Sequence, residues 1–157
     1  QERMRRERLR DLGEGVSSFC TARSGPEVLT QQGSLLWVAP SAGESFRLAC
    51  ECRDGIPSDA RLSPDGQHLA YVLGGEVHTM RLGQPSSLRR LTAPSESSAP
   101  GSTRGLPDFV AQEEFDRMEG YWWSPNSAMI AFQEVAEGNV PPFRIPHHGH
   151  GVPTDEE

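Results

Sequence analysis

The sequence predicts an all-β fold, and three observations carry that reading. Short apolar stretches recur about every ten residues, separated by Gly, Pro and Ser turn chemistry. Glycine and proline number 16 and 13 among 157 residues, enough to supply the many turns that such spacing demands. A turn-plus-strand unit occurs twice, as Ser63-Pro-Asp-Gly-Gln-His-Leu-Ala-Tyr-Val72 and as Ser124-Pro-Asn-Ser-Ala-Met-Ile-Ala-Phe-Gln133. Both copies read Ser-Pro-(Asp/Asn), then apolar-Ala-aromatic, a tight turn feeding a buried strand. A unit that recurs once per sheet is the pattern of propeller blades. The expected architecture is therefore a partial β-propeller of about two to three blades. It carries a short N-terminal helix and a short helical insertion. Residues 1–146 form this domain, and residues 147–157 form a disordered or linker tail.

Residues 1–12 are mostly good helix formers with a thin apolar edge of Met4, Leu9 and Leu12. Glu2 and Arg6 can pair at i,i+4, and Gly13 and Gly15 end the helix. Strands are expected at Val16–Phe19, Glu27–Thr30, Ser34–Ala39 and Ser45–Ala49, with Trp37 in the core. The first Ser-Pro unit and the alternating run Glu76–Leu82 add two more. The two Ser-Pro units are further apart than a blade period of roughly 40–50 residues, so an insertion lies between them. It begins as the Ser/Pro/Gly-rich stretch Ala93–Gly105 and continues into a short helix. Pro107 suits the first helical turn, Phe109, Val110 and Phe115 can pack on one side, and Gly120 ends the helix. Tyr121-Trp-Trp123 starts the next strand. Beyond Glu134, a proline-rich stretch allows at most an edge strand.

Composition narrows the function classes. A net charge of −7 argues against a nucleic-acid surface. No apolar run reaches the ~18 residues that span a bilayer, and no apolar segment follows the basic start as a signal peptide would require. Three cysteines, Cys20, Cys50 and Cys52, show no framework spacing and read as reduced thiols in a cytoplasmic setting. His147, His148 and His150 look like a metal tract but lack a carboxylate or thiol at a motif spacing, so a polar loop is the reading and no metal or other cofactor is implied.

The stretch with chemistry is 107–125. Two adjacent carboxylates, Glu113 and Glu114, precede the aromatic run Tyr121-Trp122-Trp123. Such a pair suits a cation, for instance the free α-amine of a peptide, because each hydrogen bond to a charged group contributes about 1.5–3 kcal/mol and a cation relieves the repulsion between the two carboxylates. Adjacent helical residues point about 100° apart, so the competing reading is a solvated acidic helix, with Arg117 pairing Glu113 at i,i+4 or Glu114 at i,i+3.

Phe109-Val-Ala-Gln-Glu-Glu-Phe-Asp-Arg-Met-Glu-Gly-Tyr-Trp-Trp-Ser-Pro125 resembles the glutamate-motif segment of the dipeptidyl peptidase IV family. It looks closest to the cytosolic dipeptidyl peptidases eight and nine and their bacterial relatives. Arg5-Arg-Glu-Arg-Leu-Arg-Asp-Leu-Gly-Glu-Gly-Val-Ser-Ser-Phe19 is similar to the basic helix and strand before the first blade of that subgroup, and Arg89–Thr92 and Glu134–Glu137 also fit. The resemblance implies a serine exopeptidase that removes N-terminal dipeptides with Pro or Ala second. Carried over, Glu113 and Glu114 bind the substrate's amine and measure out the dipeptide. Arg10 contacts the substrate backbone, with Arg8 taking that place if the register slips. The partners implied are peptides with a free N-terminus and a C-terminal α/β-hydrolase domain, and the resemblance leaves room for a homodimer of the full-length protein.

The chain departs from the family in one respect. It contains no Gly-x-Ser-x-Gly elbow, so the catalytic Ser, Asp and His are expected beyond residue 157 and no catalytic residue is assigned here. The alternative from a different class is a non-catalytic propeller module for protein interaction, with the acidic helix as plain surface.

Overall fold

The computed structural model describes residues 15–96 and 98–141. The expected N-terminal helix and the tail at 147–157 lie outside them. Strands β1 (Ser18–Thr21), β2 (Val28–Gln32), β3 (Leu35–Ala39) and β4 (Arg47–Glu51) form an antiparallel meander in chain order. A second meander follows, with β5 (Ser58–Leu62), β6 (His68–Leu73), β7 (Glu76–Arg81) and β8 (Arg89–Arg90). Two shorter ladders pair β10 (Tyr121–Trp123) with β11 (Ile130–Phe132), and β9 (Thr103–Arg104) with β12 (Glu134–Val135). Helix α1 (Phe109–Phe115) lies between β9 and β10 in the chain. The all-β expectation therefore holds for the described residues, four antiparallel sheets with one short α-helix and a single 3-10 turn at Pro85–Ser87.

The apolar pattern places the early strands to within about two residues of their observed limits. The β6–β7 hairpin turns through Gly74 and Gly75, both at positive φ (60° and 77°), as a two-residue hairpin of this hand requires. Strand β5 was invisible to the apolar pattern. Ser-Asp-Ala-Arg-Leu holds one large apolar residue, and its pairing with β6 shifts register between Ser58 and Arg61, beside Asp59 at φ 49°.

The second meander is buried on both faces. Leu69, Tyr71 and Met80 join Leu29, Leu36 and Cys50 in the core between the first and second sheets. Ala70, Val72 and Val77 point the opposite way and pack on Tyr121. Trp37 is a correction to the expected core. Its neighbour Leu36 is fully buried, but Trp37 points to the other face of β3 and is only half-buried.

The two Ser-Pro units fold alike. Ser63 Oγ donates to Asp65 Oδ1 (2.5 Å) and accepts from the His68 amide (2.9 Å). Ser124 Oγ donates to Asn126 Oδ1 (2.7 Å) and accepts from the Met129 amide (2.9 Å). Asp65 and Asn126 then accept from the amides of Gln67 and Ala128. Even the left-handed position is shared, Gly66 at φ 71° and Ser127 at φ 60°. The repeat is therefore structural, and β10–β11 stands to its turn as β5–β6 stands to the first.

Candidate functional site

Helix α1 begins at Phe109, two residues after the Pro107 that the sequence reading put in its first turn. Asp108 is the N-cap, and its Oδ1 accepts from the Ala111 amide at 2.8 Å. That hydrogen bond holds the Asp108 carboxyl below its ordinary value. Its other oxygen accepts from Gln133 Nε2 at 3.3 Å, tying the helix start to the end of β11.

The helix ends at Phe115 rather than at Gly120. Asp116 takes a left-handed conformation (φ 49°), and its amide caps the Ala111 carbonyl. Arg117 thus falls beyond the helix, and its Nη1 donates to the Glu119 carbonyl at 2.7 Å. Ala111 is the buried residue of α1. Phe109, Val110 and Phe115, expected to pack, are 56%, 53% and 75% exposed, because a seven-residue helix anchored through one alanine turns its larger apolar groups outward.

Glu113 and Glu114 are both exposed and sit in the last turn of α1. No acidic residue occupies the first turn and no basic residue the last. Glu113 and Glu114 thus stand against the helix dipole, which stabilises carboxylates at the N-terminal end, where Asp108 lies, and cations at the C-terminal end.

The aromatic run does not act as one cluster. Tyr121 is fully buried, Trp122 is exposed, and Trp123 is half-buried with its ring centroid 6.2 Å from that of His68. The Tyr121 ring already faces a cation of the chain itself: the Arg61 guanidinium lies 4.2 Å from its centroid. Burial pushes the Tyr121 phenol up, so it remains a donor at neutral pH and reaches the carbonyls of Asp59 (2.6 Å) and Ala70 (2.9 Å).

Gly120 has a different task from the one expected. A Cβ there would come within 2.5 Å of the backbone carbons of Gly105 and Leu106, so glycine lets the chain cross that backbone on its way into β10.

Two ionic clusters that sequence reasoning missed frame this region. Arg61 pairs with Asp59 (Nε–Oδ1 3.0 Å) and with Glu119 (Nη1–Oε1 3.1 Å), and its Nη2 donates to the Tyr121 carbonyl. Arg104, 2% exposed, pairs with Glu76 and with Glu134, each at 2.8 Å. Arg104 lay in a stretch that reads as pure loop, and only the acidic residue opening the apolar strand Glu76–Arg81 could have hinted at a buried partner.

Arg10 and Arg8 lie outside the described residues, as do His147, His148 and His150. Among the described residues no group of three or more His, Cys, Asp or Glu side chains could hold a metal ion. Cys50 and Cys52 are buried free thiols with sulfurs 3.9 Å apart, and Tyr71 Oη is 3.6 Å from Cys50 Sγ. The hydrogen bond from Cys52 lowers Cys50 to about 6, and the same bond raises Cys52. No helix of the described residues is long and apolar enough to cross a membrane.

Comparison with known proteins adds the family. The profile described as the dipeptidyl peptidase IV (DPP IV) N-terminal region matches residues 36–156. A probable dipeptidyl peptidase 4 of Neosartorya fischeri is 31% identical over 91 residues, 57% of this chain and 11% of that protein. The dipeptidyl peptidase 4 of Arthroderma otae is 29% identical over 99 residues, 62% of this chain and 12% of its own. A probable dipeptidyl peptidase 4 of Emericella nidulans is 33% identical over 88 residues, 55% of this chain and 10% of its own. The matched part is thus only about a tenth of each curated relative's length. With the profile matched over most of its length, the chain belongs to the dipeptidyl peptidase IV N-terminal region family.

Proposed function

We propose that this chain is the substrate-gating propeller part of a serine dipeptidyl peptidase that removes N-terminal dipeptides with Pro or Ala second, of the cytosolic eight/nine-like and bacterial kind. Glu113 and Glu114 bind the substrate's α-ammonium, and Arg10, or Arg8, contacts its backbone. The nucleophile and its partners belong to an α/β-hydrolase domain outside residues 1–157. The enzyme acts in the cytoplasm on peptides with a free N-terminus.

The observation that carries the reading is the placing of two exposed glutamates in the last turn of α1. The helix's own dipole opposes carboxylates there, and a bound cation would offset that opposition. Family membership supplies the reaction class in which an ammonium is the natural ligand. The test is Glu113→Gln and Glu114→Gln in the intact peptidase, assayed on a Gly-Pro reporter. Each loses a charge-assisted hydrogen bond, so kcat/KM should fall about 10- to 100-fold per substitution, as 1.5–3 kcal/mol implies. Unchanged kinetics in both variants would remove the role.

A second reading is a non-catalytic interaction module, favoured by the exposure of Phe109, Val110 and Phe115 around the same carboxylates. The intact mass of the native gene product separates the two. A mass several times 17.2 kDa, with activity on the reporter, supports the peptidase. A product near 17.2 kDa that hydrolyses nothing supports the module.

A further inference from the structure

We infer that Arg61 is a positioning residue for the glutamate pair: its guanidinium fixes the exit of helix α1, and with it the direction in which Glu113 and Glu114 present their carboxylates. The inference rests on the amine-binding reading above and adds to it a residue far from the pair in sequence.

Helix α1 has too little buried surface to hold its own orientation. It is seven residues long and buries Ala111 alone, so tertiary anchors must place it. Its start is tied by Asp108 to Gln133. Its exit is tied by Arg61. Only the three residues Asp116–Met118 separate the helix from that anchor at Glu119. There the guanidinium takes the Glu119 carboxylate at 3.1 Å, donates to the Tyr121 carbonyl and lies over the Tyr121 ring. Both sides of Gly120 are thereby held to one group, at the point where the chain crosses the Gly105–Leu106 backbone with no room for a side chain.

The guanidinium is itself held. Asp59 pairs with it through both carboxylate oxygens, at 3.0 and 3.1 Å, and Asp59's own carbonyl accepts from Tyr121 Oη. The Nη2 hydrogen bonds to Asp59 Oδ2 and to the Tyr121 carbonyl give the planar guanidinium a direction, which a lysine in its place would lack. Arg61 is 21% exposed and sits on β5, the edge strand that pairs with β6, whose two faces are buried, so the anchor is joined to that core. The acidic pair is thus referenced to the core of the second sheet through one side chain. A peptide's ammonium would meet the two carboxylates at a fixed angle instead of a mobile acidic loop.

A clamp that only stabilises the fold would lower activity by lowering the amount of active enzyme. A positioning residue acts through the pair. In the intact peptidase, Arg61→Met should raise KM for a Gly-Pro reporter roughly tenfold while kcat stays within about twofold, since uniform binding is what is lost. In a Glu113→Gln/Glu114→Gln background the same substitution should leave KM unchanged, because residues that act as a unit are not additive. An equal KM effect in both backgrounds, or none in either, overturns the inference.

Should Arg61→Met fail to fold, Glu119→Gln removes only the half-exposed arm of the clamp and keeps Asp59 and Tyr121 in place. It should raise KM about threefold in the parent and not in the pair-less background, and an unchanged KM in the parent overturns the inference equally. The glutamate variants alone separate the two claims. If they leave KM untouched, the amine-binding reading fails and this one with it. If they raise it while Arg61→Met and Glu119→Gln do not, only the positioning role fails.

Discussion

Replacing Arg104 by methionine should destabilise the chain by about 3–5 kcal/mol, the cost of leaving a buried charge without its partner. Arg104 is 2% exposed and bridges Glu76 on β7 to Glu134 on β12 at 2.8 Å each. The two acids differ in what they would lose. Glu134 keeps 43% of its side chain in contact with solvent and would be rehydrated, so its share is that of a surface pair, at most about 1 kcal/mol. Glu76 is 8% exposed; Thr92 Oγ1 would still donate to its Oε2 at 2.6 Å, but Oε1 would face the core as an uncompensated charge. Most of the penalty therefore sits on Glu76. Methionine retains the apolar stem, which limits the packing loss. Chemical denaturation followed by tryptophan emission reads the effect, and thermal unfolding should show a fall of roughly 10 °C for a chain of this size. The decisive variant is Arg104→Met/Glu76→Gln. Neutralising the stranded acid should return at least half of the loss, as interacting residues in one network are non-additive. A cost below about 1 kcal/mol for Arg104→Met, or strict additivity in the double variant, would refute the argument that Glu76 is the expensive group.

The remaining predictions concern the turn and the crossing. Asp65→Asn should change stability at neutral pH by less than roughly 0.5 kcal/mol, because Asn126 already makes the same hydrogen bonds in the second copy. Its acid dependence should differ. The Ser63 hydroxyl holds the Asp65 carboxyl below its ordinary 3.8, so the native turn contributes stability that is present above that value and lost as pH falls through the lower folded one. Urea midpoints at pH 7 and near pH 3 should fall less on acidification in Asp65→Asn than in the parent, and equal falls would show that the carboxylate is not a source of the acid limb. Gly120→Ala should cost about 1–3 kcal/mol, since the new Cβ would meet backbone at 2.5 Å and backbone must move. A neutral midpoint would mean that the Gly105–Leu106 crossing is loose.

How much of this could be read beforehand depended on whether a feature was local. The Ser-Pro units were legible because their hydrogen bonds close within six residues, so composition at fixed spacing specifies them. Strands β6 and β7 were legible because both faces are buried, and the apolar signal is therefore dense. Strand β5 was not, because it is held by partners: Asp59 and Arg61 satisfy each other and Tyr121, 60 residues away, completes them. The start of α1 could have been read from Asp108, an N-cap residue three positions before the amide it caps, had proline not been taken as the stronger mark. Glu113 and Glu114 are assigned a role only by their likeness to a motif. Periodicity alone placed them on a helix and could not say that the helix ends one residue later.

That early end changes which groups Arg117 can reach. Had α1 continued to Gly120, Arg117 would stand one turn beyond Glu113 and offer it a cation from the same helix. Asp116 in the left-handed region closes the helix first, and Arg117 turns its guanidinium to the Glu119 carbonyl. Arg61, the other base beside this segment, is committed to Asp59, Glu119 and Tyr121. Arg61 and Arg117 thus support the exit of the helix. Two glutamates in the last turn of so short a helix stand against its dipole, and the amine-binding proposal is the one in which a ligand's positive charge offsets that cost.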